Sequence, residues 1–202
     1  LLKDETPLKH ADRAVEFFRE MSVRYAGNPA VIYEICNEPN GATTWQDIRA
    51  DAERVIPVIR ENSPQALVLV GTPEFSSRVD QVRGAPLGFS NIMYVYHFYT
   101  GFMQADYESL LGGLLRDGFP LFITEWGLGP DEETGELELG RARAFVEFMR
   151  GHGLSWTNWS LCNKDESFSA IRSEVSKLHG WTEEDLTPSG KLVFRALSGL
   201  PF

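Results

Sequence analysis

Apolar residues recur at every third or fourth position from Ala11 to Tyr25, at Ala14, Phe17, Phe18, Met21 and Tyr25, and this spacing predicts an amphipathic helix. Gly27-Asn28-Pro29 stops it, and the run Ala30–Asn37 (AVIYEICN) reads as a strand. Thr44 then caps a second helix, with Asp47 three residues on and Ile48, Ala52, Val55, Ile56 and Ile59 along one face. Pro57 lies inside that helix and is expected to kink it. Strands follow at Ala66–Gly71 (ALVLVG) and Asn91–His97 (NIMYVYH). A helix carrying Leu110, Leu111, Leu114 and Leu115 ends at Asp117-Gly118, and Pro120–Trp126 (PLFITEW) is a fourth strand. Ala142, Phe145, Val146 and Met149 mark another helix closed by Gly151, and Leu154–Trp159 (LSWTNW) is a fifth strand. After a long polar loop, Thr187-Pro188-Ser189-Gly190 starts a last helix with Leu192, Val193 and Leu197.

Strands alternating with helices imply parallel pairing with helical crossovers. Runs such as ALVLVG suit strands buried on both faces. The polar and aromatic residues of chemical interest, Asn37-Glu38, His97, Glu125 and Trp159, all fall at the C-terminal ends of these strands, the edge where parallel α/β sheets and barrels bind ligands. The expected fold is α/β, a partial (β/α)8 TIM-barrel-like arrangement. A closed barrel needs eight strands; the pattern shows about five and opens on a helix, so the first three are unaccounted for. No repeat or linker divides residues 1–202, which read as one domain.

Composition narrows the partners. Of 202 residues, 43% are apolar and 12% aromatic, which is globular. A formal charge of −10 repels phosphate backbones and anionic lipid, so neither nucleic acid nor a membrane is an expected partner. No apolar run approaches the roughly 20 residues of a membrane span. Two cysteines, Cys36 and Cys162, cannot form a four-cysteine zinc site and read as small buried hydrophobes or free thiols. His10, His152 and His179 have no metal-ligand spacing, and the acidic run Asp131, Glu132, Glu133 and Glu136 reads as a solvated loop. The N-terminal LLKDETPLKH lacks a secretory signal profile.

Glu38 and Glu125 occupy equivalent strand ends, so both can project toward a common centre. Two carboxylates so placed can divide the work of glycoside hydrolysis, one protonating the leaving oxygen and the other attacking or activating water. The plainer reading is of two surface glutamates that merely end strands. The flanking residues argue against it: Asn37 can donate to a sugar hydroxyl, and Trp126 offers an apolar wall. Tryptophans stack on the C–H faces of sugar rings, and Trp159 is the first candidate for that role. Trp45, in the loop after Glu38, either serves a leaving-group subsite or packs on the core, and Trp156 is expected to pack. Taken alone, His97 could be a core histidine bonded to backbone.

Asn37-Glu38-Pro39-Asn40, Tyr96-His97-Phe98-Tyr99, Thr124-Glu125-Trp126-Gly127 and Trp156-Thr157-Asn158-Trp159-Ser160 occur in this order along nearly the whole chain. Together they resemble the C-terminal five strands of a glycoside hydrolase family 5 endoglucanase. Lys164-Asp165-Glu166-Ser167 is similar to the bacterial cellulase branch, and Thr187-Pro188-Ser189-Gly190 to the way such domains finish. The resemblance implies a retaining endo-β-1,4-glucanase that needs no metal or organic cofactor, with Glu38 as general acid/base and Glu125 as nucleophile. It also implies that Asn37 holds the sugar 2-hydroxyl and that His97 and Tyr99 support the carboxylates, Tyr99 through its hydroxyl to Glu125. Trp159 would be the aromatic floor of the cleavage subsite, and Lys164 and Glu166 would bond sugar hydroxyls on the non-reducing side. The substrate would be a β-glucan polysaccharide and the setting extracellular.

A non-catalytic carbohydrate-binding remnant, and a mannanase or mixed-linkage glucanase on the same scaffold, are the alternative expectations. The resemblance further implies an Arg and a His on strands upstream of Glu38, positions that no residue here fills. The chain is then a fragment, a short form that still folds, or one copy of a homo-oligomer that covers the open sheet edges.

Overall fold

The structure is a computed structural model that describes residues 6–102, 107–130 and 136–200, with the Phe102 side chain outside the description. The acidic run at 131–133 lies outside it, and Glu136 is exposed. Helix α1 (Ala11–Arg24), strand β1 (Tyr33–Glu34), α2 (Trp45–Asn62), β2 (Val68–Val70), a single turn α3 (Pro73–Ser76), β3 (Ile92–Tyr99), α4 (Tyr107–Arg116), β4 (Leu121–Gly127), α5 (Leu139–Gly151) and α6 (Pro188–Leu197) follow in order. The four strands form one parallel sheet in the order β1-β2-β3-β4. Tyr33 pairs with Val68 and Val68 with Ile92, and the Tyr94 N–H donates to the Pro120 carbonyl at 2.8 Å. Among the described residues no helix is long and apolar enough to cross a membrane.

The chain divides into two compact units, Leu1–His97 with Leu114–Phe122, and Phe98–Gly113 with Ile123–Phe202. In the first, α2 presents Ile48, Ala52, Val55, Ile56 and Ile59 to a core that also takes in Phe18, Tyr33, Val68, Val70 and Tyr94. The Thr44 side chain accepts from the Asp47 N–H while Asp47 accepts from the Thr44 N–H, a reciprocal cap that fixes where α2 begins. The helix runs from Trp45 to Asn62 through Pro57, which is exposed. The carbonyl that a proline leaves without its helical donor therefore faces solvent. In the second unit Phe98, Trp126, Phe145 and Met149 are buried, with Phe98 stacked on Trp126 at 5.7 Å.

The expected strand at Ala30–Asn37 contracts to the two residues of β1, beside which the Tyr33 and Ile35 N–H groups donate to the Leu67 and Leu69 carbonyls. Strand β3 runs two residues further than expected, to Tyr99. The expected fifth strand, Leu154–Trp159, touches β4 through one parallel bridge, Ile123 to Trp156. Thr157 N–H donates to the Ile123 carbonyl but Trp159 N–H to that of Trp126, so two steps on this segment face three on β4. The extra residue falls at Thr124–Glu125 and breaks the ladder there, as a β-bulge does.

Asp51 on α2 is 1% exposed, and its Oδ1 has no hydrogen-bond partner among the described residues. Burial pushes its carboxyl up to about 6, against the opposing pull of Arg54. A carboxyl raised above its unfolded value favours the folded state most at low pH, and this contribution is lost as pH rises through about 6. Asp51→Asn is expected to stabilise the protein by about 1–3 kcal/mol at pH near 8, with the gain vanishing near pH 4. Thermal melts of both proteins across that range check this, and a constant difference would contradict it.

Candidate active site

Glu38 follows β1 in a loop bound tightly to the segment after β2. Ser76 Oγ donates to the Asn37 carbonyl at 2.8 Å and accepts from the Thr72 N–H at 3.3 Å. Phe75 N–H donates to the Pro39 carbonyl at 2.9 Å, and Asn40 Nδ2 to that of Glu38 at 3.1 Å. A Cβ on Gly71 would stand 2.7 Å from the Cys36 carbonyl oxygen and 2.9 Å from Pro39 Cδ, so only glycine lets the chain just after β2 pass this close to the loop. Glu74, Phe75 and Ser76 all have positive φ, at 54°, 61° and 57°. Left-handed backbone costs about 1–2 kcal/mol at each such non-glycine residue, and here it turns Phe75 outward, 57% exposed, beside the loop that carries Glu38. Neither Ser76 nor Phe75 was legible beforehand, since no turn glycine marks the run.

His97, near the end of β3, is buried, and its Nδ1 lies 3.0 Å from Glu38 Oε1. Its Nε2 lies 3.9 Å from Glu34 Oε1 on β1, a residue that the strand pattern does not single out. Asn37 is exposed at the same loop.

In the second unit, Tyr99 ends β3 and donates its hydroxyl to Glu125 Oε1 at 2.6 Å. A Cβ on Gly127 would come within 2.4 Å of the Tyr99 ring, so the glycine two residues beyond Glu125 makes room for that ring. Phe168 meets Tyr99 edge-on at 4.8 Å. Trp159 is 45% exposed. Its backbone is fixed by its N–H to the Trp126 carbonyl at 2.8 Å, to which Asn158 Nδ2 also donates at 2.9 Å. Trp156 packs edge-on against buried Trp126 at 5.6 Å. Lys164 and Glu166 approach to 4.0 Å on the loop after Trp159. In that loop burial works to raise the Cys162 thiol, but hydrogen bonds from the Ser160 and Ser169 hydroxyls and the Lys164 backbone hold it below its usual range.

Trp45 corrects the leaving-group-subsite expectation. It is 2% exposed, its Nε1–H donates to the Ala85 carbonyl at 2.9 Å, and its ring meets Tyr94 edge-on. The first residue of α2 therefore packs into the core, and no ring face is open to a sugar. The structure thus brings Glu38 together with His97, and Glu125 with Tyr99, each pair within one unit.

Residues 1–165 match the family model "Cellulase (glycosyl hydrolase family 5)". The chain is 40% identical over 200 residues to an endoglucanase of Clostridium saccharobutylicum, covering 98% of this chain and 45% of the relative. It is 42% identical over 200 residues to endoglucanase A of Butyrivibrio fibrisolvens, covering 98% and 46%. Among solved structures it is similar to the catalytic domain of a Thermobifida fusca endoglucanase, at 30% identity and a TM-score of 0.85, over 98% of this chain and 67% of that one. A glutamate-to-glutamine variant of the same domain, in complex with cellotetraose, matches at a TM-score of 0.83 over the same shares at 30% identity. The chain spans rather under half the length of the two endoglucanases it matches. Its parallel strands and crossover helices are those of part of a (β/α)8 barrel of this kind. With the family model covering most of the chain and Glu38 and Glu125 in their motifs at the ends of parallel strands, the chain belongs to the cellulase family, glycosyl hydrolase family 5.

Proposed function

We propose that the protein hydrolyses internal β-1,4-glucosidic bonds of a glucan with retention of anomeric configuration, Glu125 acting as nucleophile and Glu38 as general acid/base. One observation carries this reading: a single strand end, that of β3, supplies the hydrogen-bond partner of each carboxylate. His97 and Tyr99 stand two residues apart on β3, and side chains at that spacing leave a strand on the same face. His97 meets Glu38 and Tyr99 meets Glu125, so each acid has its own partner on this strand. In a retaining pair the carboxyl groups stand about 5–5.5 Å apart, against about 6.5–9.5 Å in an inverting pair, and the former is the separation proposed.

In the first step a Glu125 oxygen attacks the anomeric carbon as its bond to the leaving oxygen breaks, and Glu38 gives that oxygen its proton. In the second, Glu38 takes a proton from water, whose oxygen displaces Glu125 and regenerates both acids. Tyr99, donating to Glu125, fixes which carboxylate oxygen is left to attack. The exposed rings of Trp159 and Phe75 offer stacking faces for glucosyl units, and Asn37, Lys164 and Glu166 offer hydrogen bonds to their hydroxyls. The cellotetraose complex of the Thermobifida fusca variant supports a β-1,4-glucan as substrate.

The expected result with soluble carboxymethylcellulose is a viscosity that falls ahead of the release of reducing ends, which marks internal cleavage. Saccharide binding without turnover would overturn this reading in favour of a binding role. Gly127→Ala is expected to push Tyr99 off Glu125 and lower kcat on the order of 100-fold, the penalty of a displacement near 1 Å at the reacting groups. Unchanged kcat in a folded Gly127→Ala protein would show that Tyr99 does not position Glu125.

A further inference from the structure

The long loop between Trp159 and α6 exposes its apolar side chains in one place. Leu161 is 70% exposed, Leu178 85% and Trp181 38%, and all three line one groove of about 260 Å³. Single apolar residues scattered over a surface are ordinary, whereas several converging on one concavity mark a place where something binds. Trp181 is held there before any ligand arrives, because its Nε1–H donates to the Lys177 carbonyl at 2.9 Å. The turn between the two passes through Gly180 at φ 68°, a conformation that costs glycine little. Polar groups border the groove at Asn163 and Lys177. Asn163 Nδ2 donates to the Val175 carbonyl at 3.0 Å, while its Oδ1 has no hydrogen-bond partner among the described residues. Lys177 Nζ meets Asp185 Oδ2 at 2.6 Å. An apolar floor with a hydrogen-bonding border complements a sugar ring, its C–H face against the indole and its hydroxyls at the rim.

The surroundings of the groove say which sugar. Cys162 lines its wall, and Cys162 Sγ lies 3.8 Å from Glu166 Oε1, which in turn stands 4.0 Å from Lys164 Nζ. The groove therefore begins beside the pair that offers hydrogen bonds to glucosyl hydroxyls, and Leu161 follows the exposed Trp159 by two residues. A groove this small takes a sugar-sized group, whereas a stable protein partner needs about 1,000 Å² of buried surface. We propose that the groove is a distal subsite on the non-reducing side, in which Trp181 and Leu178 hold a glucosyl unit of the same β-1,4-glucan chain beyond the units bonded by Lys164 and Glu166. Chains long enough to reach it gain a contact that short substrates lack. That contact is the same before and during bond breaking, so it lowers KM and leaves kcat unchanged.

This inference rests on the glucanase reading, and two readouts separate the failure of one from the failure of the other. The first needs no turnover. Indole 15N labelling of the Glu125→Gln chain gives five resonances, from Trp45, Trp126, Trp156, Trp159 and Trp181, and Trp159→Phe and Trp181→Phe samples assign the two of interest. Titration with cellohexaose is expected to move the Trp181 and Trp159 resonances with one midpoint, as a single chain lying across both would. A Trp181 resonance that stays still, or moves with a midpoint of its own, would overturn the proposal. Broadening at Trp181 with protein concentration alone would assign the groove to a second copy and overturn it too. The second readout is chain-length dependence. Trp181→Ala is expected to raise KM for cellohexaose about fivefold, the worth of one stacking contact, with kcat within about twofold. Leu178→Ser, at a position too exposed for the fold to depend on it, should raise that KM about threefold. Neither change should alter kcat/KM by more than about twofold on 2,4-dinitrophenyl β-cellobioside, whose two glucosyl units stop short of the groove. Equal losses on both substrates, or none on either, would overturn the proposal. Absence of cleavage of either substrate by the native protein would instead count against the hydrolase reading, and the indole titration would still decide the groove.

Discussion

Glu125→Gln is expected to lower turnover of a soluble β-1,4-glucan by about 10⁴-fold or more, while saccharide binding stays within a few fold. An amide of the same size keeps the outline of the site but cannot form the glycosyl ester on which a retaining mechanism depends. The Tyr99 hydroxyl, 2.6 Å from Glu125 Oε1, retains an acceptor in the Gln amide oxygen, so the local structure should survive. Glu125→Gly supplies the complementary test. Azide can occupy the space of the lost carboxylate, attack the anomeric carbon from that face and yield the α-glycosyl azide as Glu38 protonates the leaving oxygen. Turnover by Glu125→Gln within tenfold of the native rate, or a β-azide from Glu125→Gly, would contradict the nucleophile role.

Glu38→Ala has the next largest expected effect, and it depends on the substrate. General acid catalysis contributes typically about 10²–10⁴-fold, so hydrolysis of cellotetraose should fall by that range. The first step on 2,4-dinitrophenyl β-cellobioside should persist because its phenolate leaves unaided. The glycosyl-enzyme then lacks its general base and accumulates, so azide is expected to accelerate turnover and give the β-glycosyl azide. Opposite azide anomers from the Glu38 and Glu125 variants would assign each carboxylate to its own face of the sugar. Equal losses on both substrates with no response to azide would contradict the acid/base role.

The parallel strands and their crossover helices were legible because each strand is a short apolar run closed by Gly, Pro or Asn, and each helix keeps its apolar period, as α2 does from Ile48 to Ile59. Strand ends were less so. Nothing in LSWTNW reveals that Trp159 bonds to Trp126 one residue out of register, because a bulge depends on the partner strand. Glu38, His97 and Glu125 could be picked out since each lies at an expected strand end in a compact motif of polar and aromatic residues, whereas Tyr99, beyond the expected end of its strand, came from the family resemblance. Trp45 could not be resolved, because a tryptophan at a helix start has the same sequence signature whether its ring faces sugar or core, and only the Ala85 carbonyl and the Tyr94 ring decide it. Phe75 and Glu34 escape sequence reasoning for opposite reasons. Phe75 owes its exposure to a left-handed run without glycine, whereas Glu34 has the pattern of an ordinary polar strand position until the fold sets it beside His97.

The central claim is that Glu38 and Glu125 act as one pair across a single glucosyl ring. A crystal structure of the protein with a bound cello-oligosaccharide measures this directly. The account predicts carboxyl groups about 5–5.5 Å apart, on opposite faces of the ring at the scissile bond. A separation beyond about 6.5 Å, or a sugar seated against only one of the two acids, would contradict it.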